Sequence, residues 1–197
     1  MTFDVKDWFR AVGRTMLEPT LMGRAVLGTR FDMSFLWTAL ALVAVVNVLI
    51  VAVIQMVSPV PVAVREGQVA LTPFALTLVI GVSFFLLVNT VHLVGRWMGG
   101  PGDLHQTLTM MVWVYSVNLT LELGQIVLLL LSPALASIYG LVVAGSLIWC
   151  IINLINVLHG FENIGKAIAT LILSLVGMAI GSGFVLAVLG VTPGGTV

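Results

Sequence analysis

Charge is scarce in this chain, and the scarcity excludes more than any motif does. Asp, Glu, Lys and Arg make up 8% of its 197 residues, about a third of the share usual in soluble domains and too little to cover a water-facing surface. Acids and bases balance at eight each, so the net charge offers nothing to a polyanion and nucleic acid is not an expected partner. Cysteine is nearly absent. Cys150 stands alone, which rules out an intramolecular disulfide and a cysteine metal site. No Walker loop, dinucleotide fingerprint, nucleophile elbow or HExxH pair occurs, so no conventional enzyme site is written and no cofactor is expected. No short apolar stretch with a small-residue cleavage site precedes the first long apolar run, so the first thirty residues do not read as a cleaved signal.

What the chain has instead is five long apolar runs, over residues 35–57, 73–95, 107–131, 134–158 and 167–189. Each exceeds the ~20 residues needed to cross a hydrocarbon core of about 30 Å. Lipid leaves no partner for an exposed peptide group, so each run must be a helix. The expected fold class is therefore all-α: a five-span transmembrane bundle over residues 35–190, after a cytoplasmic segment 1–34 and before a short extracytoplasmic tail 191–197. Lys6, Arg10, Arg14, Arg24 and Arg30 precede the first span, and Arg96 and Lys166 fall in turns on the same side. Only Arg65 falls on the other, and this asymmetry predicts an inward amino terminus and an outward carboxyl terminus.

Residues 5–17 read as an amphipathic helix. Val5, Trp8, Phe9, Val12, Met16 and Leu17 recur at helical spacing, opposite Lys6, Asp7, Arg10 and Arg14. Basic residues facing away from Trp and Phe predict an interfacial helix drawn to anionic head groups; the plainer reading is a stripe packed on the bundle. Glu18-Pro19-Thr20 interrupts it. Thr72-Pro73 reads as a cap and first residue of the second span, Asp103 with Gln106 as a capping box for the third, and Ser132-Pro133 as a tight hairpin. The longest outer segment, residues 58–71, carries only Arg65 and Glu66, and no loop is large enough for a soluble catalytic domain.

Three groups of residues stand out within this apolar background. Tyr115, Asn118, Glu122 and Gln125 form one polar stripe along the third span. An uncompensated carboxylate at that depth costs at least about 2.5 kcal/mol, so Glu122 is expected to face the bundle interior, neutral or hydrogen-bonded. The stripe reads as interhelical glue, as the lining of a proton, cation or solute path, or as a face for a partner protein. The second group, Asn89, His92, Arg96, His105, Asn156, His159 and Glu162, gathers at the cytoplasmic ends of the spans, with Asn153 and Lys166 nearby. No pair of these has the tight spacing of a metal-binding signature, so capping of helix-end carbonyls at the wet interface is the expectation, and no metal. Third, Gly177 and Gly181 in the fifth span, with Ser174 and Gly183, would let another helix approach closely, inside the bundle or in a dimer.

The chain resembles bacterial members of the Yip family, the Ypt-interacting-protein domain, from Met16 onward. The similarity is carried by Glu18-Pro19 before the first span, by the turn from Arg96-Trp97-Met98-Gly99-Gly100-Pro101-Gly102 to Asp103-Leu104-His105-Gln106-Thr107, and by His159-Gly160-Phe161-Glu162-Asn163-Ile164-Gly165-Lys166-Ala167. The resemblance implies five spans, an inward amino terminus, a bacterial inner membrane and no catalytic residues. Eukaryotic relatives bind small Ypt and Rab GTPases through a sizeable cytosolic region. Only about thirty-four residues precede the first span here, and the family's Asp-Leu-Tyr-Gly-Pro element is missing, with Met16-Leu17-Glu18-Pro19 in its place; GTPase binding is a doubtful expectation. The leading functional expectation is a scaffold or accessory protein that binds itself, other integral membrane proteins or lipids. The alternative is a small transporter or channel built on Glu122, Gln125 and Asn118; an intramembrane enzyme using His92, His159 and Glu162 comes third.

Overall fold

Asp103 shows how local chemistry sets the helix ends. Its carboxylate accepts the Gln106 amide at 2.7 Å while the Gln106 side chain accepts the Asp103 amide at 3.1 Å, so the predicted capping box closes both ways. In this computed structural model residues 4–57 and 73–188 are described. The outer segment with Arg65 and Glu66, the Thr72 cap and the tail 191–197 lie outside them. Among the described residues the chain is helical throughout: α1 (Val5–Leu17), α2 (Pro19–Leu27), α3 (Met33–Val57), α4 (Pro73–Trp97), α5 (Leu104–Leu131), α6 (Pro133–His159) and α7 (Ile164–Val188). Helices α3 to α7 coincide with the five apolar runs, and each is long and apolar enough to cross a membrane. Caps move the boundaries by two or three residues. α5 starts at Leu104 behind its capping box, and α6 starts at Pro133 and is capped after His159 by Gly160, whose φ of 53° is left-handed.

The spans close into a ring in the order α3, α4, α7, α6, α5, with α4 also touching α5 and α6. The most extensive pairing joins α4 to α7, and small residues permit it. A Cβ added at Gly177 would stand 3.0 Å from the Thr90 methyl, and one at Gly181 2.9 Å from Leu86. At this close approach Thr90 Oγ1 donates to the Ser174 carbonyl at 3.1 Å, and the hydroxyls of Ser83 and Ser182 lie 3.1 Å apart. The glycine face of α7 is thus occupied inside the bundle, which decides between the two uses open to it.

Burial is concentrated at the end of the bundle where the α4–α5 and α6–α7 turns lie. There Val26 of α2 joins Val91, Met110, Val114, Leu154, Leu158 and Ala167 in one core cluster. Towards the opposite end, Leu130, Leu131, Leu141, Ile180 and Phe184 are exposed, as side chains facing lipid are. α2 lies across α5 and α6, with Gly23 pressed against Leu154 and Met110.

Leucine at Gly177 or Gly181 is expected to force α7 off α4 and lower the melting temperature in detergent, at an overpacking cost of about 1–3 kcal/mol. Gly183, where an added Cβ meets nothing within 4 Å, serves as the control: Gly183→Ala should be neutral or gain up to about 1 kcal/mol of helix propensity. Equal melting of Gly177→Leu and wild type would refute the α4–α7 packing.

Candidate functional site

The two turns that interrupt the bundle at its packed end meet through one side chain. His159 is the last residue of α6, and the left-handed Gly160 directs the chain away while the imidazole stays inside, with 0% of the residue exposed. Its ring stacks on Phe161 with centroids 5.3 Å apart. On the other sides it meets backbone. A Cβ at Gly100 would stand 2.5 Å from the His159 Cβ, one at Gly102 would stand 2.9 Å from Nδ1, and one at Gly95 would overlap the ring. The Gly100 amide bonds the Gly95 carbonyl at 2.9 Å, folding the turn back over α4. Three glycines therefore form a socket that only residues without a side chain can line. The ring nitrogens make no well-formed hydrogen bond, the Val91 backbone offering only a weak one, and Nδ1 of His92, also buried without a partner, lies within electrostatic reach. An unpaired buried nitrogen costs about 1–3 kcal/mol, so ring packing has to outweigh it.

The other residues of the predicted turn-end group share this end but not one site. His105 Nε2 bonds the Phe31 carbonyl at 2.7 Å, tying the α2–α3 link to α5. Asn156 Oδ1 accepts the Asn163 amide at 3.3 Å, and Asn163 Oδ1 accepts the Gly165 amide at 2.8 Å at the start of α7. Asn89 and Asn153 donate to carbonyls of their own helices, Phe85 and Trp149. Arg96 and Glu162 are exposed, the latter at a φ of 50°. Among the described residues no group of three or more His, Cys, Asp or Glu is placed to hold a metal. His159 itself sits in the core and not at a wet surface.

The intramembrane stripe divides. Glu122 accepts from Asn118 Nδ2 at 2.7 Å and from Asn47 Nδ2 at 3.0 and 3.1 Å, one bond to each carboxylate oxygen. Asn47 belongs to α3, so the cluster latches α3 to α5. Sequence reasoning missed Asn47, although an amide in the middle of the first apolar run was the available signal. Tyr115 instead stacks on Phe84 of α4 at 3.9 Å, its hydroxyl buried and unpartnered. Gln125 faces α6, where a Cβ on Gly140 would meet its amide at 2.9 Å.

Helix α1 also reaches the spans. Trp8 Nε1 donates to Thr120 Oγ1 at 3.1 Å, Trp113 Nε1 donates to Thr15 Oγ1 at 3.2 Å, and the two indoles meet edge to face at 5.5 Å. Thr120 stands about 24 Å along α5 from Leu104 at 1.5 Å per residue, so α1 leans against the flank of the bundle. Its predicted apolar face is shared out. Trp8 and Val12 pack inward, whereas Val5 and Phe9 remain about 60% exposed. Arg10, paired to Asp7 at 2.7 Å, and Arg14 point outward.

Gly95→Ala is expected to destabilise the protein by about 3 kcal/mol or more through overlap with the imidazole. In a His159→Ala background the same change should cost far less, giving a coupling of about 1–3 kcal/mol in a double-mutant cycle read by unfolding in detergent. Strictly additive losses would place the ring outside the socket.

No curated protein and no solved structure matches the chain. A family model does: that of the Yip1 domain matches residues 15–188, from the end of α1 through α7, and takes in both turns joined at His159. By this match and its five apolar helices, the chain is an integral membrane protein that belongs to the Yip1 domain family.

Proposed function

We propose that this protein is a non-catalytic membrane scaffold that binds other integral membrane proteins or lipids, with its amino terminus in the cytoplasm and the bacterial inner membrane as its site. The observation that carries the reading is the use made of Glu122. Its two oxygens accept three amide contacts from Asn47 and Asn118, so the costliest group in the bundle serves to hold α3 on α5. The small-residue face of α7 and the His159 socket likewise join helix to helix. Outward, the protein offers apolar spans and an amphipathic α1 with Phe9 exposed beside Arg10 and Arg14. Lys6, Arg24, Arg30, Arg96 and Lys166 complete the basic set that supports the inward orientation.

Purified protein in liposomes is expected to carry no proton or cation flux above empty vesicles. Glu122→Gln, which replaces one acceptor oxygen by a donor facing two other amides, should lower the unfolding free energy by about 1–3 kcal/mol and change nothing else. Flux that is present in wild type and lost in Glu122→Gln would replace the scaffold with a transporter. Cross-linking in native membranes followed by mass spectrometry should yield a stoichiometric membrane partner or a defined homo-oligomer.

A further inference from the structure

A cavity of about 610 Å³ lies between α1, α2, α3 and α5, walled mainly by apolar side chains, with Trp8 and Trp113 on one side and Phe35 and Leu36 on another. The polar groups in its lining have their hydrogens directed elsewhere. Thr29 Oγ1 donates to the Val26 carbonyl at 2.6 Å, Thr109 Oγ1 to His105 at 2.8 Å and Ser116 Oγ to Val112 at 2.8 Å. The indole N–H groups of Trp8 and Trp113 bond Thr120 and Thr15, neither of which lines the cavity. An internal water needs about two to four polar partners; the three hydroxyl oxygens can accept from one but have no free hydrogen to give, and the rest of the lining is mostly apolar. Left empty, the same walls would forgo dispersion contacts along their whole length. Ser116 stands about 18 Å along α5 from Leu104, so the space extends well into the ~30 Å that a span crosses. At that depth the surrounding medium is hydrocarbon.

We propose that this cavity is a lipid site that takes one acyl chain of a bilayer phospholipid, with Trp8 of α1 in its wall. The mouth suits such a molecule. Arg30 is exposed between the lining residues Thr29 and Phe31, and Phe31 stacks on the exposed Phe35 at 5.4 Å. A basic residue in the short segment that carries two of the lining residues complements the phosphate of a lipid whose alkyl chain the apolar space would take. The helix α1 is divided from α2 at Glu18-Pro19, bonds α5 through the two indole–hydroxyl pairs and also packs on α2 and α6, where Cys150 Sγ meets the Thr15 carbonyl at 3.4 Å. The site does not depend on the scaffold reading, since a protein without a partner would still hold the chain.

Delipidated protein in mild detergent is titrated with phosphatidylglycerol carrying brominated acyl chains, and bound lipid is counted by intact-protein mass spectrometry while tryptophan fluorescence is followed. One phospholipid per chain is expected, with quenching. Ala39→Phe and Ala25→Phe fill the cavity from α3 and α2; both are expected to melt like wild type and to lower retained lipid at least about tenfold. Wild type that retains no phospholipid overturns the proposal, and so do folded Phe variants that retain as much as wild type. Should a filled variant not fold, a phosphatidylglycerol with a diazirine in its chain decides on wild type. Label on the peptides holding Phe35 or Trp113 supports the site, and label confined to α6 and α7 overturns it. Partner cross-links that persist in lipid-free Phe variants keep this outcome apart from that of the scaffold reading.

Discussion

Hydrocarbon offers no hydrogen bonds, so a polar group carried into the bundle is costly unless it finds a partner inside it, and much of the structure follows from that constraint. The peptide groups are satisfied by five uninterrupted helices. Several hydroxyls bond within the same helices: Ser83, Thr90, Thr107, Ser116 and Thr120 each donate to the carbonyl four residues earlier, whereas those of Tyr115 and Ser174 are buried without a partner. Glu122 cannot be satisfied that way, because a carboxylate accepts and does not donate, and its own helix has no free amide at mid-span. It draws on Asn118 one turn away and on Asn47 across the interface. These bonds join the packing of Leu36 and Leu40 against Leu108 and Met111 in setting the face of α3 that meets α5.

Association among helices with apolar surfaces on all sides needs a further source of specificity, since burying leucine away from lipid gains little. The protein finds it in close approach. α7 settles on α4 where Gly177 and Gly181 remove the side chains that would separate the axes. At the turn end the logic is inverted, and a bulky ring fills a hole made of backbone. His159 enters the hollow between Gly95, Gly100 and Gly102, coupling the turn after α4 to the turn after α6. The packed core continues from this point into α2, while the far ends of α5, α6 and α7 stay exposed. The bundle is thus tight at the end with the socket and open to its surroundings at the other.

The amphipathic α1 adds a component of a different kind. Tryptophan can pack its apolar ring while sending one donor to a distant acceptor, and the reciprocal pairs of Trp8 with Thr120 and Trp113 with Thr15 exploit this. The result is that Trp8 and Trp113 border the half-open space next to α2 and α3 with both indole N–H groups bonded away from it.

Number, length and class of the spans were legible in the sequence, because the energy of apolar runs in lipid depends on composition and length alone. The capping box at Asp103 and Gln106 and the break at Pro19 were legible too, since such signals act over three or four residues. The stripe of Tyr115, Asn118, Glu122 and Gln125 was recognisable as a face of α5, yet helical spacing could not say that it would serve three neighbours: Asn47 of α3 for Glu122, Phe84 of α4 for Tyr115 and Gly140 of α6 for Gln125. The histidines and glycines of the two turns were likewise visible as residues that share one end of the bundle. Only the tertiary structure decided that His159 is buried among Gly95, Gly100 and Gly102 while His105 and Asn156 bond elsewhere and Glu162 stays exposed. A residue's own helix tells which direction its side chain takes. What lies in that direction is set by the crossing of helices far apart in the chain.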